Sequence, residues 1–416
     1  MGKFVIQILL IFILVMFNKK RKGSWNSPSS FLLFLYLVSA ILAIPVVYMN
    51  GFEFPFSAKD YWIPMFIFVF CLFCFLIPFC SFKETKVDSI YLPPRRILNL
   101  FSNFIIGISL FSIFFFSSSV KNIFQQNLLE ARTALYGGEL YVEAGLPNTI
   151  ASVGASLYVF AILLFFIYGI IGDSPKRMIL LLISSISEPL HILSYVGRDG
   201  VVFWIFSFIF LFLFFKPYMS EDFNLKIRKY IVIISFCLLV PIIAISMSRF
   251  GESDSGTGGS VINYIGQSFV NGMLYMGIEE KPFTEGAGFP LFYEITGIKQ
   301  TIVREVGGGM LQIGEWKSWW FSTFVVSLYT NLSFLGLMIF AFCSFLVQRF
   351  ALVIRHKSIN FSQLFIYLLF FQMYSQGVFY FKQYTRGGNL FIVLCFLFYL
   401  FFDIWKNKSN MISKNA

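Results

Sequence analysis

The chain has 416 residues, 57% hydrophobic, 20% aromatic and 13% charged, with mean hydropathy +0.76 and a formal net charge of +11. A soluble domain of this length buries a good core but cannot hide this much apolar surface, which excludes a soluble enzyme and indicates an integral membrane protein. The excess of Lys and Arg then reads as an anchor for cytoplasmic loops, not as a nucleic-acid footprint.

A spanning helix needs about 20 mostly apolar residues. In chain order, eleven segments qualify: 4–17, 31–50, 62–82, 97–118, 150–171, 177–195, 200–216, 230–248, 320–347, 361–380 and 389–405. The fold expected is all-α: a polytopic transmembrane bundle of about 11 spans with a large extracytoplasmic loop, residues 1–416 forming one integral membrane domain. The first segment is short, but its basic cluster follows the apolar run and no small-residue cleavage site appears, so it reads as a retained helix. Cys71, Cys74, Cys80, Cys237, Cys343 and Cys395 all lie in apolar runs, which argues against disulfide or zinc chemistry for the CxxC at 71–74.

Orientation follows from the basic residues between spans. With "NKKRKG" after the first span on the cytoplasmic side, alternation places 18–30, 83–96, 172–176, 217–229, 348–360 and the C-terminal tail inside. These regions and their flanks carry 20 of the 32 basic residues, and every short inside loop is basic. The N-terminus then lies outside and the C-terminus inside.

Two outer regions are long, 119–149 and 249–319, and the second holds fourteen of the chain's 30 glycines. Apolar and aromatic residues recur along 249–319, which argues for a partly helical, functional loop, a cover for an active site. In "VINYIGQSFVNGMLYMG", Val261, Ile265, Phe269 and Val270 share one helix face, as expected of an amphipathic helix along the membrane surface or one packed over the bundle. Trp316, Trp319 and Trp320 in "EWKSWWF" read as an interfacial belt or, more sharply, as sugar-stacking groups.

Cations at the outer ends oppose the positive-inside bias and need another explanation. They are Arg198 in "YVGRDGVVF", Arg249 in "SMSRFGES", Arg304 in "TIVREVGGG", Lys382 and Arg386 in "FKQYTRGGN", and Arg132 in the first long loop. Arginine grips phosphate through a planar fork and keeps its charge, so several at one face suggest an anionic ligand at headgroup depth. Among the outward carboxylates, Asp199, Glu252 and Glu305 are the candidate general bases; most others, Glu279, Glu280, Glu294 and Glu315 included, read as solvated. Glu188 and His191 lie three apart within the sixth span, sharing a face, and are either functional or a buried pair that fixes packing. No P-loop, GxGxxG, HExxH or DxD pattern occurs, which disfavours soluble-type catalysis on nucleotides.

A Phe/Ile-rich chain of about eleven spans, with "GRDG" at an outer turn, "SRF" ending a later span, "YIGQSFVNG" after it and one large outer loop, resembles the oligosaccharide repeat-unit polymerases, the Wzy-type O-antigen and capsule polymerases. The resemblance implies a bacterial cytoplasmic-membrane glycosyltransferase with its site on the extracytoplasmic face. It implies transfer of a growing glycan from undecaprenyl pyrophosphate to a fresh lipid-linked unit, without metal, nucleotide or other cofactor. The partners implied are lipid-linked oligosaccharides, the bilayer, a chain-length regulator and a flippase. Arg198 and Arg249 match the family's functional arginines by motif; Arg304 and Arg386 match by location alone, with Lys382 beside them. A flippase or transporter of lipid-linked sugars, or an O-antigen ligase, is the alternative, although ligases carry a histidine in the large outer loop and this loop has none.

Overall fold

The computed structural model describes residues 2–50, 52, 56, 59–125, 145–172, 174–229, 256–284, 286–297, 312–318, 320–405 and 410–414. The candidate span 230–248 and the candidate site residues Arg249, Glu252, Arg304 and Glu305 lie outside them.

Among the described residues 77% are helical, with few, short strands. Seven described helices are long and apolar enough to cross a membrane, and a pair of helices bent by 43° makes an eighth candidate. The long helices are α1 (Gly2–Lys22), α2 (Pro28–Met49), α3 (Trp62–Ser81) and α4 (Arg95–Phe124), and further on α9 (Asp199–Phe215), α12 (Phe324–Ala351) and α14 (Arg386–Ile404). The bent pair is α5 (Leu146–Ser156) and α6 (Tyr158–Ile171). Strand β1 (Ser89–Tyr91) precedes α4. The candidate span 177–195 is not one helix. It is α7 (Pro175–Ser184) and α8 (Ser187–Leu193), broken at Ser185–Ile186. The rest of the chain forms α9 (Asp199–Phe215), α10 (Gly256–Met276), α11 (Pro290–Thr296), the hairpin β2 (Gln312–Ile313) and β3 (Trp316–Lys317), α12 (Phe324–Ala351), β4 (Ser358–Asn360), α13 (Phe361–Gln376), α14 (Arg386–Ile404) and β5 (Met411–Ser413).

Two compact units result: Met1–Lys86 with Gly258–Ile354 and Phe365–Cys395, and Val87–Thr257 with Arg355–Leu364 and Phe396–Ala416. In the first unit, Ser27 caps α2, its Oγ accepting from the Ser30 amide at 3.2 Å, and Pro28 starts the helix. Lys22, at the end of α1, pairs with Glu84 just beyond α3, both side chains buried, and Ser29 Oγ donates to the same carboxylate at 2.5 Å. This pairing satisfies charges that would be costly alone in a dry place.

Helix α10 departs from the surface-helix expectation. Its second half, residues 266–276, is buried on every side. Asn263 meets Asn50 at the end of α2 (3.2 Å), Ser39 Oγ donates to the Ile265 carbonyl (2.5 Å), and Phe269 packs edge-on against Phe68 of α3. Gly277, just past its C-terminus, abuts Tyr61 at the head of α3. The helix is wedged between α2 and α3. Its all-round burial explains why a two-faced apolar stripe misleads: lipid-like packing exists on both sides.

In the second unit, α4 and α5 cross closely. A Cβ at Gly154 would lie 2.6 Å from the Ile108 carbonyl, and Ser112 Oγ donates to the Ala151 carbonyl at 2.7 Å. Small residues replace the hydrophobic drive that is absent between helices in lipid. A three-stranded sheet of order β4-β1-β5 joins two interhelical segments and the segment after α14, with β1 parallel to β4 and antiparallel to β5. Asp88 bonds Lys414 (3.1 Å) and pairs with Lys357 (3.4 Å), and the Tyr218 hydroxyl donates to the Val87 carbonyl (2.6 Å). Within each unit, then, segments that charge parity assigns to one side are bonded to one another.

Candidate functional site

The "GRDG" turn belongs to the second unit, and the broken span builds it. Trp204 of α9 donates its indole N–H to Ser185 Oγ (2.9 Å) at the α7–α8 break, which fixes α9 against that break. Pro189 sits in the first turn of α8, where its missing N–H costs nothing. After α8 the chain reverses: Val196 takes φ +54° and the Gly197 amide closes onto the Ile192 carbonyl at 3.0 Å. A β-branched residue in the left-handed region is strained, by about 1–3 kcal/mol. The two glycines serve a different purpose. A Cβ at Gly197 or Gly200 would meet Ile192 at 2.6 or 2.7 Å, and Gly200 also lies against the Glu188 carbonyl. They let the head of α9 sit directly on α8. Arg198 and Asp199, both half-buried, occupy that head, Asp199 in the first turn where the helix dipole favours an anion.

The break also brings Glu188 and His191 out of a supposed mid-span position and into this turn. His191 Nδ1 lies 3.3 Å from Glu188 Oε2, and Nε2 lies 3.4 Å from Ser152 Oγ of α5. Asn148, one helical turn before Ser152, accepts from the same hydroxyl at 3.3 Å. Phe116 of α4 covers the imidazole at 4.7 Å between centroids, and Tyr195 meets it edge-on at 5.6 Å. The Glu188 side chain is 5% exposed and that of His191 18%, so the carboxylate is enclosed while the ring is partly exposed. Ser152 and Asn148 had no signal in the sequence, because Ser152 lies 39 positions from His191 and reaches it only through the α4–α5–α8 packing.

Arg386 and Lys382 belong to the first unit. Arg386, at the head of α14, forms a 2.8 Å ion pair with Glu294 of α11, both side chains well exposed. The carboxylate expected to be solvated is thus the partner of an expected phosphate ligand. Lys382 opens a short 3-10 turn before α14. The same unit binds its long loop down: Asn331, beside a kink at Ser333 (φ +60°) in α12, accepts from the Gly288 amide and from Thr284 Oγ1 at 3.1 Å. Asn389 Nδ2 donates to the Gly288 carbonyl at 3.2 Å.

Beside the β2–β3 hairpin is a cleft of about 370 Å³ whose lining includes Tyr61, Glu279, Glu280, Glu315 and Trp316. These carboxylates gather at one opening instead of dispersing. Trp316 is 4% exposed, and its indole N–H has no hydrogen-bond partner among the described residues. Burial, and next the nearby Glu315, push the Tyr61 hydroxyl above its ordinary range, and burial pulls the Lys281 ammonium below its own. Trp320 stacks under the Lys317 ammonium at 4.8 Å, so the tryptophans are not a uniform lipid-facing belt.

Among the described residues, no group of three or more His, Cys, Asp or Glu side chains is placed to hold a metal ion. No family model, curated protein or solved structure matches this chain.

Proposed function

We propose that this protein polymerises undecaprenyl-pyrophosphate-linked oligosaccharide units at the outer face of the bacterial cytoplasmic membrane. The observation that carries the reading is the head of α9, where a half-buried arginine is held by a strained turn and glycine contacts against α8. An arginine whose backbone is anchored at the N-terminal end of an apolar helix, beside the positive pole of that helix, suits a lipid-borne diphosphate. Departure of undecaprenyl pyrophosphate builds charge on its oxygens, and preorganised donors stabilise that charge without reorganising. The cleft at Trp316 offers an indole donor, carboxylate acceptors and aromatic walls, the groups that a saccharide needs. The resemblance of "GRDG" and "YIGQSFVNG" to the repeat-unit polymerases supports the same reading.

Arg198→Ala is expected to lower long-chain polysaccharide by about 100-fold or more, the loss typical of removing one transition-state donor. Single repeat units still reach the outer face. Arg198→Lys keeps the charge without the fork and restores only part of the polymer. The check is gel analysis of surface glycan in a null strain carrying each variant. Undiminished polymer in Arg198→Ala overturns the role of this residue, and loss of exported single units in the null strain favours a flippase.

A further inference from the structure

We propose that His191, oriented by Glu188, is the proton acceptor for the attacking sugar hydroxyl, in a centre completed by Ser152. This inference rests on the polymerase reading. An ionised carboxylate only accepts hydrogen bonds, so the 3.3 Å contact to Glu188 Oε2 places the imidazole proton on Nδ1. Nε2 then carries the lone pair. It lies 3.4 Å from Ser152 Oγ, whose one proton serves either Nε2 or Asn148 Oδ1, so an incoming hydroxyl can take the serine's place at Nε2 while the serine keeps Asn148.

Three features set this pair apart from a packing clasp. The carboxylate is enclosed while the ring is partly exposed, which is the division of labour between an orienting group and a working one. Phe116, Ala151 and Ala155 form the apolar cluster beside the ring, with Tyr195 packed on it, which limits water near an activated donor. Gly200 lies against the Glu188 carbonyl, so the pair shares one rigid turn with Arg198. The elements around His191 present Ser152 and Asn148 from α5 and Phe116 from α4, and the head of α9, which carries Arg198 and Asp199, packs on α8 through Gly200.

The step balances within the proposed reaction. The acceptor hydroxyl oxygen bonds to the anomeric carbon of the donor glycan as the bond from that carbon to the phosphate oxygen breaks. The bonding pair leaves with undecaprenyl pyrophosphate, and the hydroxyl proton passes to Nε2. The resulting imidazolium faces the Glu188 carboxylate until the proton is released to water. Asp199, Glu252 and Glu305 are then not required as bases.

The test uses the full-length protein in liposomes, supplied with lipid-linked repeat units extracted from its null strain. His191→Gln keeps a hydrogen-bonding side chain of similar reach but cannot take the proton. It is expected to lower kcat by 100-fold or more, within the range of general-base removal, while KM for the lipid-linked unit changes little. His191→Ala is expected to recover activity with added imidazole. Glu188→Gln lowers kcat with rescue by Glu188→Asp. A wild-type kcat in His191→Gln overturns the assignment alone. So does a loss in His191→Ala that imidazole does not restore and that follows the melting temperature, since this marks a packing role. No polymer from the wild-type protein overturns the polymerase reading and this assignment with it.

Discussion

Asp88 shows how much one exposed carboxylate decides when a sheet has only three short strands. Hydrogen bonding from Lys414 holds its carboxyl below the ordinary carboxylate value, helped by the charges of Lys414 and Lys357. A carboxyl lowered on folding stabilises the fold above its unfolded value and loses that contribution as pH falls through the folded one. Asp88→Asn is therefore expected to lower the melting temperature at neutral pH. The gap from wild type should close as pH drops below about 4; an unchanged gap in a pH series of thermal melts removes the role. Some site residues were readable before any fold was known. A charged "RD" between glycines in apolar sequence is conspicuous, and so is a Glu and a His inside a hydrophobic run. Their partners were not readable, because Ser152 is one serine among many in apolar helices. Val196, not Gly197 or Gly200, carries the positive φ, and the glycines answer to Ile192.

At the level of elements, the decisive feature is how α10 reaches its place. A Cβ at Gly266 would lie 2.2 Å from the Leu42 carbonyl oxygen, a backbone atom that no rotamer change moves aside. Gly266→Ala is expected to destabilise the first unit by about 1–3 kcal/mol, the range for overpacking. Gly107→Ala, where a Cβ meets nothing within 4 Å, should be close to neutral. Thermal melts in detergent compare the two directly, and equal effects would mean that α10 is not wedged against α2. The apolar spacing of 261–270 did announce a helix, because a 3.6-residue period is local. It did not announce burial on all sides, because neighbouring helices and lipid tails present similar apolar surfaces. The break between α7 and α8 was hidden for the same reason, since "LLLISSISEPLHIL" stays hydrophobic through the Ser185–Ile186 corner.

For the whole molecule, sidedness is the property on which the proposed chemistry depends. Asn26 lies in the turn before α2, whose Ser29 is bonded to Glu84 just beyond the C-terminal end of α3, whereas Glu280 lines the cleft with Tyr61 at the N-terminal end of α3. A 20-residue apolar helix therefore separates the two positions. An impermeant thiol reagent applied to intact cells is expected to label Glu280→Cys and to reach Asn26→Cys only after the membrane is opened. The reverse pattern would put the Trp316 cleft on the cytoplasmic side and remove its proposed part in binding a saccharide. Class, span candidates and charge asymmetry followed from the sequence alone, because transfer into lipid and the placement of Lys and Arg are sums over neighbouring residues. Tertiary structure alone decided that a supposed sixth span is a corner, that α10 fills the space between α2 and α3, that Arg386 is paired with Glu294, and that His191 stands between Glu188 and Ser152. Such pairings join residues far apart in the chain through close helix crossings. In an apolar solvent those crossings depend on shape and on isolated hydrogen bonds, which leave no period in the sequence.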